Sequence, residues 1–174
     1  MTHDDWFPAA ERALRRYYDN QRRTVELTAS IQANEARLAQ IGEDIARAQQ
    51  VRVRSASMAA VPGGGDPTKG LDAEVVAILT AIDRLQSEAS RRTLENIEWQ
   101  AIIARLRDAN AVLGPVIASL DDEERRVVEL RYRAGVSNYD IARQLVCSEG
   151  RVRYLHRQVV IRAARALNLR KQGE

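Results

Sequence analysis

The chain has 174 residues, with 27 Lys and Arg against 24 Asp and Glu, a formal charge of +3. Aromatic and glycine residues are scarce while Ala, Arg and Leu abound, which suits an all-α protein of one domain or two small helical pieces. No apolar run approaches the ~18–20 residues that span a bilayer, and the lone Cys147 excludes an internal disulfide framework.

The spacing predicts a first helical segment from Asp5 to Arg54. Trp6, Ala10, Leu14 and Tyr17 make an apolar stripe, with Tyr18-Asp19-Asn20 as a weakly helical stretch after it. A heptad starts at Leu27. Ile31, Leu38 and Ile45 form one set, and Leu27, Asn34, Ile41 and Ala48 the other. Asn34 is a polar residue in that seam, a device that fixes register or partner number. The seam suits either an antiparallel hairpin with the next long helix or self-association of the chain.

Residues 55–70, SASMAAVPGGGDPTKG, read as a linker, because three consecutive glycines flanked by prolines do not sit in a helix. Lys69 and these glycines lack the order of a phosphate-binding loop, and no strand precedes them. A second long helix follows from Leu71 to Leu113. Leu71, Val75, Ile78, Ile82, Leu85 and Ala89 recur on one face, and Leu94, Ile97, Ile102, Leu106 and Leu113 extend it with drift. Trp99 is expected to anchor this helix on the first segment. Gly114-Pro115 marks a break. The organisation expected is a helical or coiled-coil region over 1–54, a Gly/Pro linker over 55–70, a connecting helix over 71–114 and a C-terminal module over 115–174.

That module carries its own punctuation. Asp121 with Glu124 three residues on is a capping box opening a short helix with Val127, Val128 and Leu130 inward. Gly135 ends it, since glycine takes the left-handed backbone without steric cost. Ser137 caps a second helix with Ile141, Ala142 and Leu145 inward. After the turn Val146-Cys147, with Cys147 as a small buried residue, Ser148 caps a third helix. At ~100° per residue, Val152, Leu155, Val159, Ala163 and Ala166 share the packing side of that helix. Gly150, Arg153, Tyr154, Arg157 and Ile161 face away, with Arg151 on a flank. His156 lies beside the packing side, as a structural residue. Residues 141–174 hold eight basic side chains against two acidic ones, so the first 140 residues carry the excess of acid.

Leu120 with Arg125, Tyr132, the run Ser137-Asn138-Tyr139-Asp140-Ile141-Ala142 and the run Ser148-Glu149-Gly150-Arg151-Val152-Arg153 resemble region four of the bacterial sigma factors. Asp140 departs from the usual Glu. The resemblance covers about a third of the chain and implies a promoter-reading helix-turn-helix. The layout of helical N-terminal half, connector, long helix and terminal module is similar to the ArpU/RinA-type phage late-gene transcriptional regulators. The fold expected is therefore all-α, a long helical hairpin or coiled-coil region followed by a sigma-region-4-like helix-turn-helix.

In such a motif the third helix lies in the major groove and the second crosses the phosphates. Arg151 and Arg153 are candidates for paired bonds to guanine, with Arg157 reaching phosphate or base. Tyr154 is a candidate for a thymine methyl or a phosphate, and Glu149 for cytosine N4 or for the helix dipole. Ser148 caps the helix, and Gly150 permits close approach of backbone to DNA. Arg143, Ser137, Asn138 and Tyr139 are the expected phosphate contacts. The leading expectation is a regulator of double-stranded promoter DNA acting with RNA polymerase, with self-association through the long helices. Trp6 and Trp99 stand alone, so the aromatic and basic cluster that a complete sigma factor uses to melt DNA is absent from the sequence. A phage packaging adaptor like a small terminase subunit is the alternative. No catalytic constellation, metal-ligand cluster or cofactor motif appears, so an enzyme is not expected. Without a signal-peptide core in MTHDDWFPAAERALRR, a cytoplasmic, nucleoid-associated location is the expectation.

Overall fold

A computed structural model describes residues 6–59 and 68–169. Every regular element among them is helical. These are α1 (Trp6–Ala59), α2 (Thr68–Asn110), α3 (Leu113–Ala118), α4 (Asp122–Val128), a π-helical turn (Glu129–Arg133) continuing it, α5 (Asn138–Gln144) and α6 (Glu149–Ala166). The centre of the expected linker, residues 60–67, lies outside the described residues, while α1 reaches Ala59 and α2 already begins at Thr68. Among the described residues no helix is long and apolar enough to cross a membrane.

The chain forms two compact units. One comprises residues 27–101; the other joins the residues before 27 to those after 101. α1 and α2 each contribute to both.

In the unit of residues 27–101 the two long helices run antiparallel as an intramolecular hairpin. The heptad residues Leu27, Ile31, Asn34 and Ile41 are buried on α1, and Ile82 and Asn96 on α2. The drifting apolar face expected on α2 packs only toward its end, where Leu106 is half-buried and Leu113 buried, while Ile102 is exposed. Leu94 and Ile97 are exposed, and the inward stripe of Val75, Ile78, Ile82, Leu85 and Ala89 continues through Arg92, Asn96 and Trp99. The reason lies opposite. Asn34 Nδ2 donates to Asn96 Oδ1 at 3.1 Å and to Glu95 Oε2 at 3.3 Å, and Arg92 Nη1 donates to Asn34 Oδ1 at 2.8 Å. Arg92 Nε also reaches Glu88 Oε1 at 3.0 Å. Arg37 grips both Glu88 oxygens, at 3.1 and 3.3 Å. These bonds hold the Glu88 carboxyl below its usual pKa, Arg37 contributing most. A buried amide demands partners, so polar residues occupy stripe positions where apolar ones would leave Asn34 unpaired.

The other unit buries a larger core. Tyr18-Asp19-Asn20 is continuous helix, because its side chains are tied in. Tyr17 and Tyr18 are buried, Asn20 Nδ2 donates to Asn110 Oδ1 at 3.0 Å, and Asn110 Nδ2 donates to the Tyr17 carbonyl at 3.1 Å. Ala10, Ala13, Leu14, Tyr17 and Tyr18 pack with Leu113, Leu120, Val128, Tyr132, Val159, Val160, Ala163 and Ala164. Each large aliphatic side chain fully buried there contributes ~1.5–3 kcal/mol. α2 stops at Asn110, earlier than expected, and Gly114-Pro115 falls inside the first turn of α3, where proline's missing N–H costs nothing.

Aromatic rings run through this core. Tyr18 stacks on Tyr132 with centroids 6.0 Å apart, and Phe7 meets His156 edge-on at 6.2 Å. The Tyr132 hydroxyl lies 2.7 Å from His156 Nε2, and both residues are buried. Burial, reinforced by Arg131, lowers the His156 pKa from 6.5 to about 4. Glu11 Oε1 lies 3.5 Å from the same nitrogen, but at neutral pH the ring is uncharged and the contact is not an ion pair.

Two outcomes are expected from these polar groups. Asn34→Ala leaves Arg92 and Asn96 short of a partner and should cost about 1–3 kcal/mol, read as faster amide hydrogen exchange in both hairpin helices. His156 binds its proton more weakly folded than unfolded. Stability is therefore full above pH ~6.5 and falls as pH drops toward ~4, by at most about 3 kcal/mol. Urea midpoints at pH 7 and 4.5 should show a larger drop for the native chain than for His156→Gln.

Candidate nucleic-acid interface

The C-terminal elements are built by the caps that the local sequence encodes. Asp121 Oδ1 accepts from Glu124 N at 2.8 Å, and Glu124 Oε2 accepts from Asp121 N at 3.3 Å, completing the capping box at α4. Glu124 is itself buried, and Arg162 from α6 donates to it at 2.8 Å. The π turn closes with Ala134 N–H bonded to the Glu129 carbonyl at 3.2 Å. Such a turn holds an extra residue and rotates the next side chains relative to α-helical register. Gly135, at φ +69°, then reverses the chain. Ser137 Oγ accepts from Asp140 N at 3.2 Å and opens α5; Ser148 Oγ accepts from Arg151 N at 3.2 Å and opens α6.

α4, α5 and α6 close over a second core of Val127, Ile141, Ala142, Val152 and Leu155, flanked by half-buried Leu130, Val136, Leu145 and Cys147. α6 also packs behind, through Val159, Val160, Ala163 and Ala164. Its packing side is therefore broader than the single stripe expected. Val160, Ala164 and His156 are buried, Ala166 is only half-buried, and Ile161 is half-buried where exposure was expected. Two partners on different sides of one helix produce that width.

The remaining face of α6 gathers most of the expected site residues. Arg151, Arg153, Tyr154, Arg157 and Gly150 are exposed, with Ser148 at the cap and Glu149 half-buried. Arg153 Nη2 donates to Glu149 Oε2 at 2.6 Å, one helical turn back. Arg151 Nη2 donates to Glu123 Oε2 at 2.7 Å, and its guanidinium lies 5.9 Å from the Tyr154 ring centre. Arg157 makes no ion pair among the described residues. A Cβ on Gly150 would meet only Ser148 Oγ, at 3.8 Å, so nothing within the chain requires glycine there. On α5, Arg143 lies 5.9 Å from the ring centre of exposed Tyr139. Ser137 is committed to its cap, and Asn138 Oδ1 accepts from Arg131 at 2.7 Å.

Both arginine pairs are solvent-exposed: Arg151 and Glu123 keep 50% and 65% of their side-chain surface, Arg153 and Glu149 68% and 38%. Exposed pairs of this kind contribute ~0–1 kcal/mol, so either guanidinium can leave its carboxylate at little cost. Glu123 is a neighbour of the site that residue order does not announce: it holds Arg151 from the first turn of α4, beside the Asp121–Glu124 capping box.

Residues 116–162 match the family model Sigma-70, region 4. The match covers just over a quarter of the chain, from within α3 to the C-terminal half of α6. It marks this segment as a DNA-binding, transcription-related module rather than a catalytic one. No curated protein and no solved structure matches the chain.

The turn between α5 and α6 holds one strained residue. Val146 sits at φ +52° and is 92% exposed, a left-handed conformation that β-branched side chains rarely adopt. Nothing in its own packing offsets that cost. Val146→Gly should raise stability by about 1 kcal/mol, read as a higher denaturation midpoint of the C-terminal unit.

Proposed function

We propose that this chain is a sequence-specific DNA-binding transcription regulator that reads double-stranded promoter DNA with the N-terminal half of α6. The observation that carries the reading is the region-4 match together with an α6 face whose arginines are exposed and only weakly held. Arg151 and Arg153 take the base edges, oriented by Glu123 and Glu149. Tyr154 sits under Arg151 and contacts a thymine methyl or phosphate, and Arg157 is free to follow either strand. The absence of any internal need for Gly150 supports close approach of the DNA backbone at the start of the helix. Ser137, Asn138 and Tyr139 at the start of α5 and Arg143 in its last turn meet the phosphates.

In finer detail, the layout favours an activator of the ArpU/RinA phage late-gene type. RNA polymerase is the protein partner in this reading. Among the described residues the long helices carry no aromatic and basic cluster of the kind that melts promoter DNA, which supports a regulator that acts through polymerase bound by this chain or by a host factor.

Duplexes selected from genomic DNA by the protein, titrated by fluorescence anisotropy beside random duplexes, test the reading. Arg153→Ala should lower affinity for the selected site by roughly 5- to 150-fold, the loss of one paired guanine contact, and change random binding far less. Equal losses on both duplexes would remove base readout by Arg153. Binding that ignores salt would remove the DNA reading altogether.

A further inference from the structure

On α2, within the unit of residues 27–101, four large apolar side chains point away from the hairpin. Val76 is 61% exposed, Leu79 39%, Leu94 62% and Ile97 57%. At ~100° per residue they fall within about 60° of one another, on a face distinct from the inward stripe of Ile78, Ile82, Leu85 and Asn96. Asp83, Ser87 and Ser90 complete that face, Asp83 and Ser90 exposed.

The order of these residues is palindromic. The midpoints of Val76 and Ile97, of Leu79 and Leu94, and of Asp83 and Ser90 all fall between Gln86 and Ser87. A twofold axis crossing α2 there sets Val76 against Ile97 of a second copy and Leu79 against Leu94 of that copy. A closed dimer requires such self-complementarity, since one patch must serve as both surfaces.

Charge agrees with the same axis. Asp83 makes no ion pair among the described residues, and Arg91 has only a long 3.7 Å contact with Glu95 in its own helix. Antiparallel pairing places Asp83 of one copy within about one residue's rise of Arg91 of the other, twice per dimer. At the centre Ser87 and Ser90 are small, with the flexible Gln86 beside them. Ser90 turns its hydroxyl to the Gln86 carbonyl at 2.9 Å, which lets the two helices approach.

We infer that α2 is a homodimerisation surface, pairing antiparallel with α2 of a second copy about an axis between Gln86 and Ser87. The occupant is this chain itself, and the contact is independent of the DNA reading. Four apolar side chains per copy along ~32 Å of helix make a modest interface, so the dissociation constant should be on the order of 10 μM.

Sedimentation equilibrium of the full chain without DNA, from about 1 to 300 μM, tests this. The native chain should pass from 19.5 kDa to twice that mass. Leu79→Glu and Leu94→Lys should each remain at the monomer mass, and an equimolar mixture of the two should regain the dimer mass. Rescue arises because only antiparallel pairing brings position 79 of one copy to position 94 of the other. Both positions are exposed, so the variants should keep the native helical circular dichroism, and the mixture reports on their folding as well. A native chain that stays monomeric, single variants that dimerise as well as the native chain, or a mixture that stays monomeric would each overturn the proposal.

Discussion

The C-terminal unit depends on α6 being buried from two directions. Its N-terminal half packs through Val152 and Leu155 on α4 and α5, and its C-terminal half through Val159, Val160, Ala163 and Ala164 on the first turns of α1. His156 stands where the two cores meet, neutral and within hydrogen-bond distance of Tyr132. With two sides committed, the N-terminal half of α6 leaves to solvent the stripe bearing Arg151, Arg153, Tyr154 and Arg157. The same packing that stabilises the unit thus selects the face that can meet a ligand. A short three-helix module buries little surface by itself, and the added turns of α1 enlarge its core.

The hairpin is organised by different physics. Its seam is interrupted by a connected polar ladder from Asn96 through Asn34, Arg92 and Glu88 to Arg37. A ladder of this kind adds little net stability over apolar packing, yet any shift in register would leave its members unpaired. Register here is held by the cost of breaking hydrogen bonds, while apolar residues such as Ile41 and Ile82 supply the burial.

Weak ion pairs on α6 give its arginines a defined direction without holding them tightly. Glu149 holds Arg153 from one turn back on the same helix, and Glu123 holds Arg151 from the start of α4. Such exposed pairs are screened by salt and readily exchanged, so they limit the conformations an arginine must give up on binding. Val146, in the turn just before α6, is both strained and exposed.

Much of this was legible from residue order because it rests on short-range chemistry. Capping bonds join residues three apart, so Asp121 with Glu124, Ser137 and Ser148 announced their helices, and Gly135 announced a reversal. The heptad around Asn34 announced a seam for the same reason, since helical periodicity is a local property. Contacts between distant residues were not legible. Nothing near Glu123 points to Arg151, nothing near Asn34 indicates that Arg92 and Asn96 replace apolar residues across the seam, and nothing near Leu14 shows that it covers the back of α6. The π turn and the left-handed Val146 were also hidden, because both defy local preference and persist only where the rest of the fold holds them. The sequence by itself determined that the chain is built of helices, where the module's helices start and that its third helix carries the basic residues. Tertiary structure decided which sides of those helices are buried and which carboxylates hold the arginines, because packing and pairing depend on partners that the chain brings together only by folding.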